Sequence, residues 1–421
     1  TAIGMHSLNA NLTHRNTGVG YESGYYTTGA DNTYVGFKAG LGAAGAEASN
    51  VGIGANALLA ITTGTDNVAV GIKALEAVTD SQYNVGIGRQ AAFKITTGDK
   101  NISIGGGTLA LATTASNIIA IGHDAAYTVS AGNTASDGTI AIGASALNAL
   151  TTGAANTAVG YQSGASLVDG NQNSIFGYNA GYSLTEGLDN TAMGYGALYA
   201  ENDGDYCVAI GSLALNSQTG VSGAVRNTAL GYKAGYAVTT GVRNVIIGTD
   251  AAVGMQDADE CVIIGNYAMA ANATQDGTIA IGRSALAALT SGANNVAVGF
   301  ESGKVLTTGV QNTLLGYRSG FDLNEGGRNT AVGYLAFGGA LDANGDESFD
   351  NTFVGTGAGS GAWVTAVSNK NTAVGSQTMI GAMNGALDNT AVGYGALTAL
   401  TTGDNNVAIG KSTAVALTTG D

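Results

Sequence analysis

The chain has 421 residues, of which 68 are glycine and none is proline; 11% are charged, and the net charge is −15. Glycine without proline excludes collagen, and the even spacing of the 45% of residues that are apolar excludes disorder. The acidic balance excludes a nucleic-acid surface, because phosphates need a basic one.

A six-residue phrase, written most fully as Asn389-Thr390-Ala391-Val392-Gly393-Tyr394, recurs from one end of the chain to the other. Its closing glycine appears 24 times, from Gly4, Gly20 and Gly36 to Gly375, Gly393 and Gly410. Fifteen of the 23 steps equal that from Gly143 to Gly160, a 17-residue period, and the others run from 16 to 22. A unit this short cannot bury a core alone, so each copy is one coil stacked on the next. The prior of two or three domains for this length therefore gives way to one continuous array over 1–421.

Each coil predicts a strand. The residue before the closing glycine is aliphatic, Met or Phe, and the residue three before it is Thr, Val or Ile in all but one copy. Bulky residues at alternate positions are a strand signal. The residue between them is usually Ala or Gly, so neither strand face is polar and the strand reads as covered on both sides. We expect the bulky face inside each roll and the small face between chains. Such a period leaves room for two short strands and two turns, and Thr-Thr-Gly (Thr62-Thr63-Gly64, Thr401-Thr402-Gly403) marks one turn. At the usual strand spacing, 24 coils would make a rod on the order of 115 Å long. A roll this thin leaves an apolar face uncovered, which argues for an oligomer.

Asparagine stands four before the closing glycine in 18 of 23 copies, Asn32, Asn67, Asn156, Asn190, Asn312, Asn389 and Asn406 among them. Stacked coils would bring these amides into a hydrogen-bonded column. Cys207 and Cys261 occupy the same position. Three rungs part them, roughly 14 Å, beyond disulfide reach, so they read as small buried replacements.

This phrase, with a small residue three after the glycine and its Thr-Thr-Gly turn, resembles the head repeat of YadA-type trimeric autotransporter adhesins. It resembles still more the YadA-like repeats of phage tail fibres. The resemblance covers the whole chain and implies a left-handed parallel β-roll assembled as a homotrimer. It implies a structural fibre segment, shaft or head, of a phage tail fibre that serves host attachment, placed outside the cell on a virion. A bacterial surface adhesin head is the alternative, and a host glycan or protein the implied receptor. The 17-residue period is somewhat longer than that of the adhesin heads.

Departures from the period mark insertions near 126–139, 215–226, 338–350 and 359–370. The third carries oxygen side chains at every second residue: Asp342, Asn344, Asp346, Ser348 and Asp350. That alternation suits calcium, although the glycine is misplaced for the usual loop. Glu201, Asp203 and Asp205 form a second acidic cluster. The only tryptophan, Trp363, lies in the fourth insertion and is a candidate glycan contact. Residues 137–164 and 276–303 match at 21 of 28 positions, eight rungs apart, which indicates growth by block copying.

Gly52-Ile53-Gly54-Ala55-Asn56-Ala57 mimics a dinucleotide fingerprint but is one rung among many. His6, His14 and His123 lack zinc spacing. No nucleophile–base pair emerges, so no catalytic residue and no cofactor other than calcium is expected. No stretch reaches the apolar length of a membrane span. The chain opens and closes in mid-phrase and reads as a segment of a longer protein. An ice-binding solenoid is a further alternative, weakened because Val and Ile interrupt the Thr positions.

Overall fold

A computed structural model describes residues 1–10, 14–129, 137–219, 222–339, 347–363 and 366–420. They form two compact units, residues 1–207 with 220–224, and residues 208–219 with 225–421. Each unit is a parallel β-solenoid. The first carries twelve stacked strands, from Ala2–Ile3 to Thr191–Met193, and the second another twelve, from Val208–Ile210 to Val407–Ile409. Pairing is parallel and in register: Thr157 lies beside Ser174 and Ala158 beside Ile175, one coil on. The predicted all-β solenoid and its period are therefore present.

The coil that closes at Gly143 shows how the sequence builds a rung. Ile140, Ala141 and Ile142 form the strand. Ser145 and Leu147 then take left-handed backbone, φ 56° and 48°. Two such residues in alternate places end the extended chain and fold it back across the strand. Ala141, Ala146, Leu147 and Leu150 are fully buried and are this coil's share of the core. Most coils repeat that arrangement: one small strand residue faces one or two aliphatic side chains from the return stretch.

The structure departs from the sequence pattern in two respects. The typical coil has one three-residue strand, not two, because the return stretch repeatedly enters the left-handed region. Its coils still bond to one another, as when the Leu75 amide donates to the Ala91 carbonyl at 3.0 Å. Two further parallel pairings occur among the described residues: Gly204–Asp205 with Gly223–Ala224 beside an insertion, and a bridge between Ala48 and Thr65. The strand faces are also reversed. The small middle residue points into the roll, as Ala69, Ala158, Ala297 and Ala391 do, all at 0% exposure. The bulky residues on either side face outward and stay partly accessible, reaching 46% at Leu230 and 40% at Ile53. The reason is volume: in most coils Leu or Ala from the return stretch fills the thin interior and leaves Ala or Gly opposite, and where the middle residue is large, as at Ile175 and Leu314, glycine (Gly181, Gly320) stands in the return stretch against it.

The asparagine column forms within both units. The Asn312 backbone N–H and Nδ2 donate to Asn295 Oδ1 at 2.9 and 3.1 Å. Asn312 Nδ2 also donates to the Gly326 carbonyl at 2.8 Å. Its own Oδ1 accepts from the N–H and Nδ2 of Asn329, at 3.0 and 3.2 Å. One buried side chain thus serves the coil before it, the coil after it and a turn. Asn312→Ala leaves the Gly326 carbonyl and the Asn329 amide unpaired. Each costs about 1–3 kcal/mol, so we expect a clear fall in melting temperature by circular dichroism, whereas an exposed Asn→Ala control should change little.

The closing glycine is a steric requirement. Gly231 has φ +141°, and a Cβ built on it would stand 2.6 Å from the Gly248 carbonyl oxygen of the next coil. Gly231→Ala is expected to lose about 1–3 kcal/mol locally, read as faster hydrogen exchange in the coils beside it. Unchanged exchange would contradict the close stacking.

Candidate functional site

The predicted site residues take different places. Asn32, Asn67, Asn156, Asn190, Asn312 and Asn389 are buried ladder members, and Asn406 donates its N–H and Nδ2 to Asn389 Oδ1. Cys207 and Cys261 are buried thiols not joined in a disulfide. Each donates its backbone N–H to the preceding asparagine, Asn190 or Asn244, but has no amide to pass the column on. Burial pushes the Cys261 thiol up to about 11, so it remains a protonated, unreactive thiol near neutral pH.

Trp363 is not available to a glycan. It is 0% exposed and packs on Phe337 and Phe353, with ring centroids 4.7 and 5.5 Å away. Its Nε1 donates to the Gly359 carbonyl at 3.1 Å. The steps from Gly333 to Gly355 and from Gly355 to Gly375 both exceed the usual period, and three buried aromatic rings pack on one another there.

Of the suggested calcium ligands, Asp342, Asn344 and Asp346 lie outside the described residues. Ser348 is buried, and its carbonyl accepts from Asn329 Nδ2 at 2.7 Å. Asp350 receives Arg328 Nε and Nη2 at 2.7 and 2.9 Å, and that hydrogen bonding holds its carboxyl below the usual range. These two are therefore engaged in the fold. In the other acidic cluster, Glu201 Oε1 accepts from the backbone N–H groups of Asn202, Asp203 and Gly204. Asp205 Oδ1 accepts from the Leu188 N–H at 2.8 Å. The cluster shapes a turn. Among the described residues no three His, Cys, Asp or Glu side chains converge as a metal site would require, and no helix is long and apolar enough to cross a membrane. The turn threonines are also engaged: Thr62, Thr79 and Thr96 each donate a hydroxyl to the threonine carbonyl one coil on.

Two outward surfaces remain. One is the strand face, where Thr, Ser, Val, Ile, Leu, Met and Phe point outward and no coil carries a charged residue. The other is the corner after the closing glycine, where side chains stack rung on rung. Tyr161, Tyr178 and Tyr195 lie with centroids 5.1 and 5.5 Å apart and planes within 18°. Phe300, Tyr317 and Tyr334 repeat this at 5.3 and 5.1 Å. Tyr161 and Phe300 stand at the interval of the copied block, the same that relates Asp137 to Asp276. The sequence carries the signal as Tyr or Phe one place after the closing glycine in ten of the 24 coils, in consecutive runs at Tyr161-Tyr178-Tyr195 and Phe300-Tyr317-Tyr334. Charged groups join this corner: Arg283 lies over Phe300, and Arg318 over Tyr317. Glu301 holds Lys304 and Arg318 at 2.9 and 2.7 Å.

One buried titratable group has no part in either surface. Glu47 is 2% exposed, and its Oε2 has no hydrogen-bond partner. Burial raises its pKa above the usual carboxylate range. The Tyr34 phenol, also buried, is raised by burial and by the Glu47 charge. The folded carboxyl thus holds its proton where the unfolded one has released it, and stability falls as pH rises from the ordinary carboxylate pKa through the folded value. Glu47→Gln removes that loss. We expect the variant to melt higher than the parent at pH 7 and equally at pH 4; equal melting at both would contradict a charge penalty.

No protein-family model matches the chain, and no curated protein matches it in sequence.

Proposed function

We propose that this chain is a non-catalytic structural fibre segment, a homotrimeric β-roll shaft or head of a phage tail fibre that takes part in host attachment outside the cell. The observation that carries it is the uncharged apolar strand face, repeated at every coil and accessible in the single chain. An apolar column of this extent is what a partner covers. Because one period dominates, the natural partner is another copy of the same chain, whose rungs rise at the same interval. The number three comes from the resemblance to YadA-like repeats. An adhesin head has the same assembly, and the domains flanking the segment in its full reading frame separate the two.

In native mass spectrometry the parent should appear at three times the 41.4 kDa chain mass. Leu230 and Val392 are both outward-facing and exposed. Replacing both by Lys should give monomers with the parent's β-type circular dichroism. A monomeric parent contradicts the proposal, as does a trimeric double variant.

A further inference from the structure

The corner after the closing glycine is filled by a side chain in every coil but one. Gly106 is the only glycine to follow a closing glycine directly, and Gly107 comes next. The result is an open notch of about 370 Å³, lined by Arg89 from the coil before and by His123, Asp124 and Tyr127 from the coil after. Arg89 and His123 are two coils apart, on the order of 10 Å. Elsewhere on this corner consecutive stacked rings stand 5.1 to 5.6 Å apart. The gap is therefore one ring thick.

We infer that this notch binds a single pyranose residue of an uncharged glycan, which takes the place in the stack that Gly106 leaves empty. A pyranose is a thick six-membered ring with apolar C–H faces and hydroxyls around its edge. Arg89 and His123 line the notch from the coils on either side and carry planar groups, a guanidinium and an imidazole, that suit the two apolar faces. Asp124 and Arg89 supply an acceptor and donors for its hydroxyls. Asp124 is held in place, because His123 Nδ1 lies 3.0 Å from its Oδ2, while its Oδ1 leans into the space a Gly107 side chain would fill. Arg89, in contrast to Arg15, Arg243, Arg318 and Arg328, has no carboxylate partner among the described residues. The Asp124 carboxylate and the net charge of −15 disfavour a sialylated or uronic ligand. The notch lies on the corner that carries charge at many coils, as at Lys38, Lys73, Lys233 and Arg318, and not on the uncharged strand face. It is complete within one chain and does not depend on the assembly proposed above.

Gly106→Tyr tests this. Gly106 does not have positive φ, and a Cβ there would meet nothing closer than 3.6 Å. A tyrosine can thus stack as it does in other coils and close the notch without breaking the roll. The parent should be retained by neutral glycans on an array that displays neutral and acidic glycans. Gly106→Tyr should melt like the parent and lose retention by about tenfold or more, and Arg89→Ala should weaken it in the same direction. Failure to retain any neutral glycan overturns the inference. So does retention of acidic glycans alone, or retention undiminished in both variants. The oligomer mass tests the fibre reading separately.

Discussion

The return of the chain to the same place after each coil is the constraint on which the rest depends. An asparagine amide can bond above and below itself only if its neighbours arrive at one strand spacing, in the same orientation. The closing glycine permits that approach, since a side chain on Gly231 would strike the Gly248 carbonyl. The left-handed residues, such as Ser145 and Leu147, then turn the chain within so few residues. Amide column, glycine contact and left-handed turns are three aspects of one geometry. Where the period lengthens, buried aromatic rings pack on one another, Trp363 with Phe337 and Phe353.

Much of this was legible in the sequence. The regular spacing of Asn, Thr/Val, Ala and Gly implied parallel stacking, and the buried column at Asn312 follows from it directly. The orientation of the strand was not legible. Alternation says that Val296 and Val298 share a face opposite Ala297, but both faces are apolar, so hydropathy does not choose between them. Leu286 and its equivalents, folding across the roll with left-handed backbone, make the choice. The same residues explain why a second strand was wrongly expected. Trp363 misled for a related reason: a lengthened coil suggested an exposed loop, whereas part of the extra chain packs inward.

With the bulky face outward, each unit has surfaces of opposite character. The strand face is uniform and uncharged, suited to a partner with the same repeat. The corner is uneven, with stacked rings, cations over their faces and the notch at Gly106. Uniform positions serve stacking and assembly; variable positions next to them are free to differ from coil to coil. The interval of the copied block also relates the two aromatic trios, whereas the Gly106 gap lies outside that block and occurs once.

Hydrogen exchange at the ladder amides tests the stacking most directly. Each backbone N–H of Asn312, Asn329, Asn351 and Asn371 donates to the side-chain oxygen of the asparagine one coil earlier. In-register coils predict that these amides exchange among the slowest in the molecule, and that Asn295→Ala speeds exchange at Asn312 before it affects Asn371. Exchange at these positions as fast as at solvent-exposed turn amides would contradict the stacked solenoid.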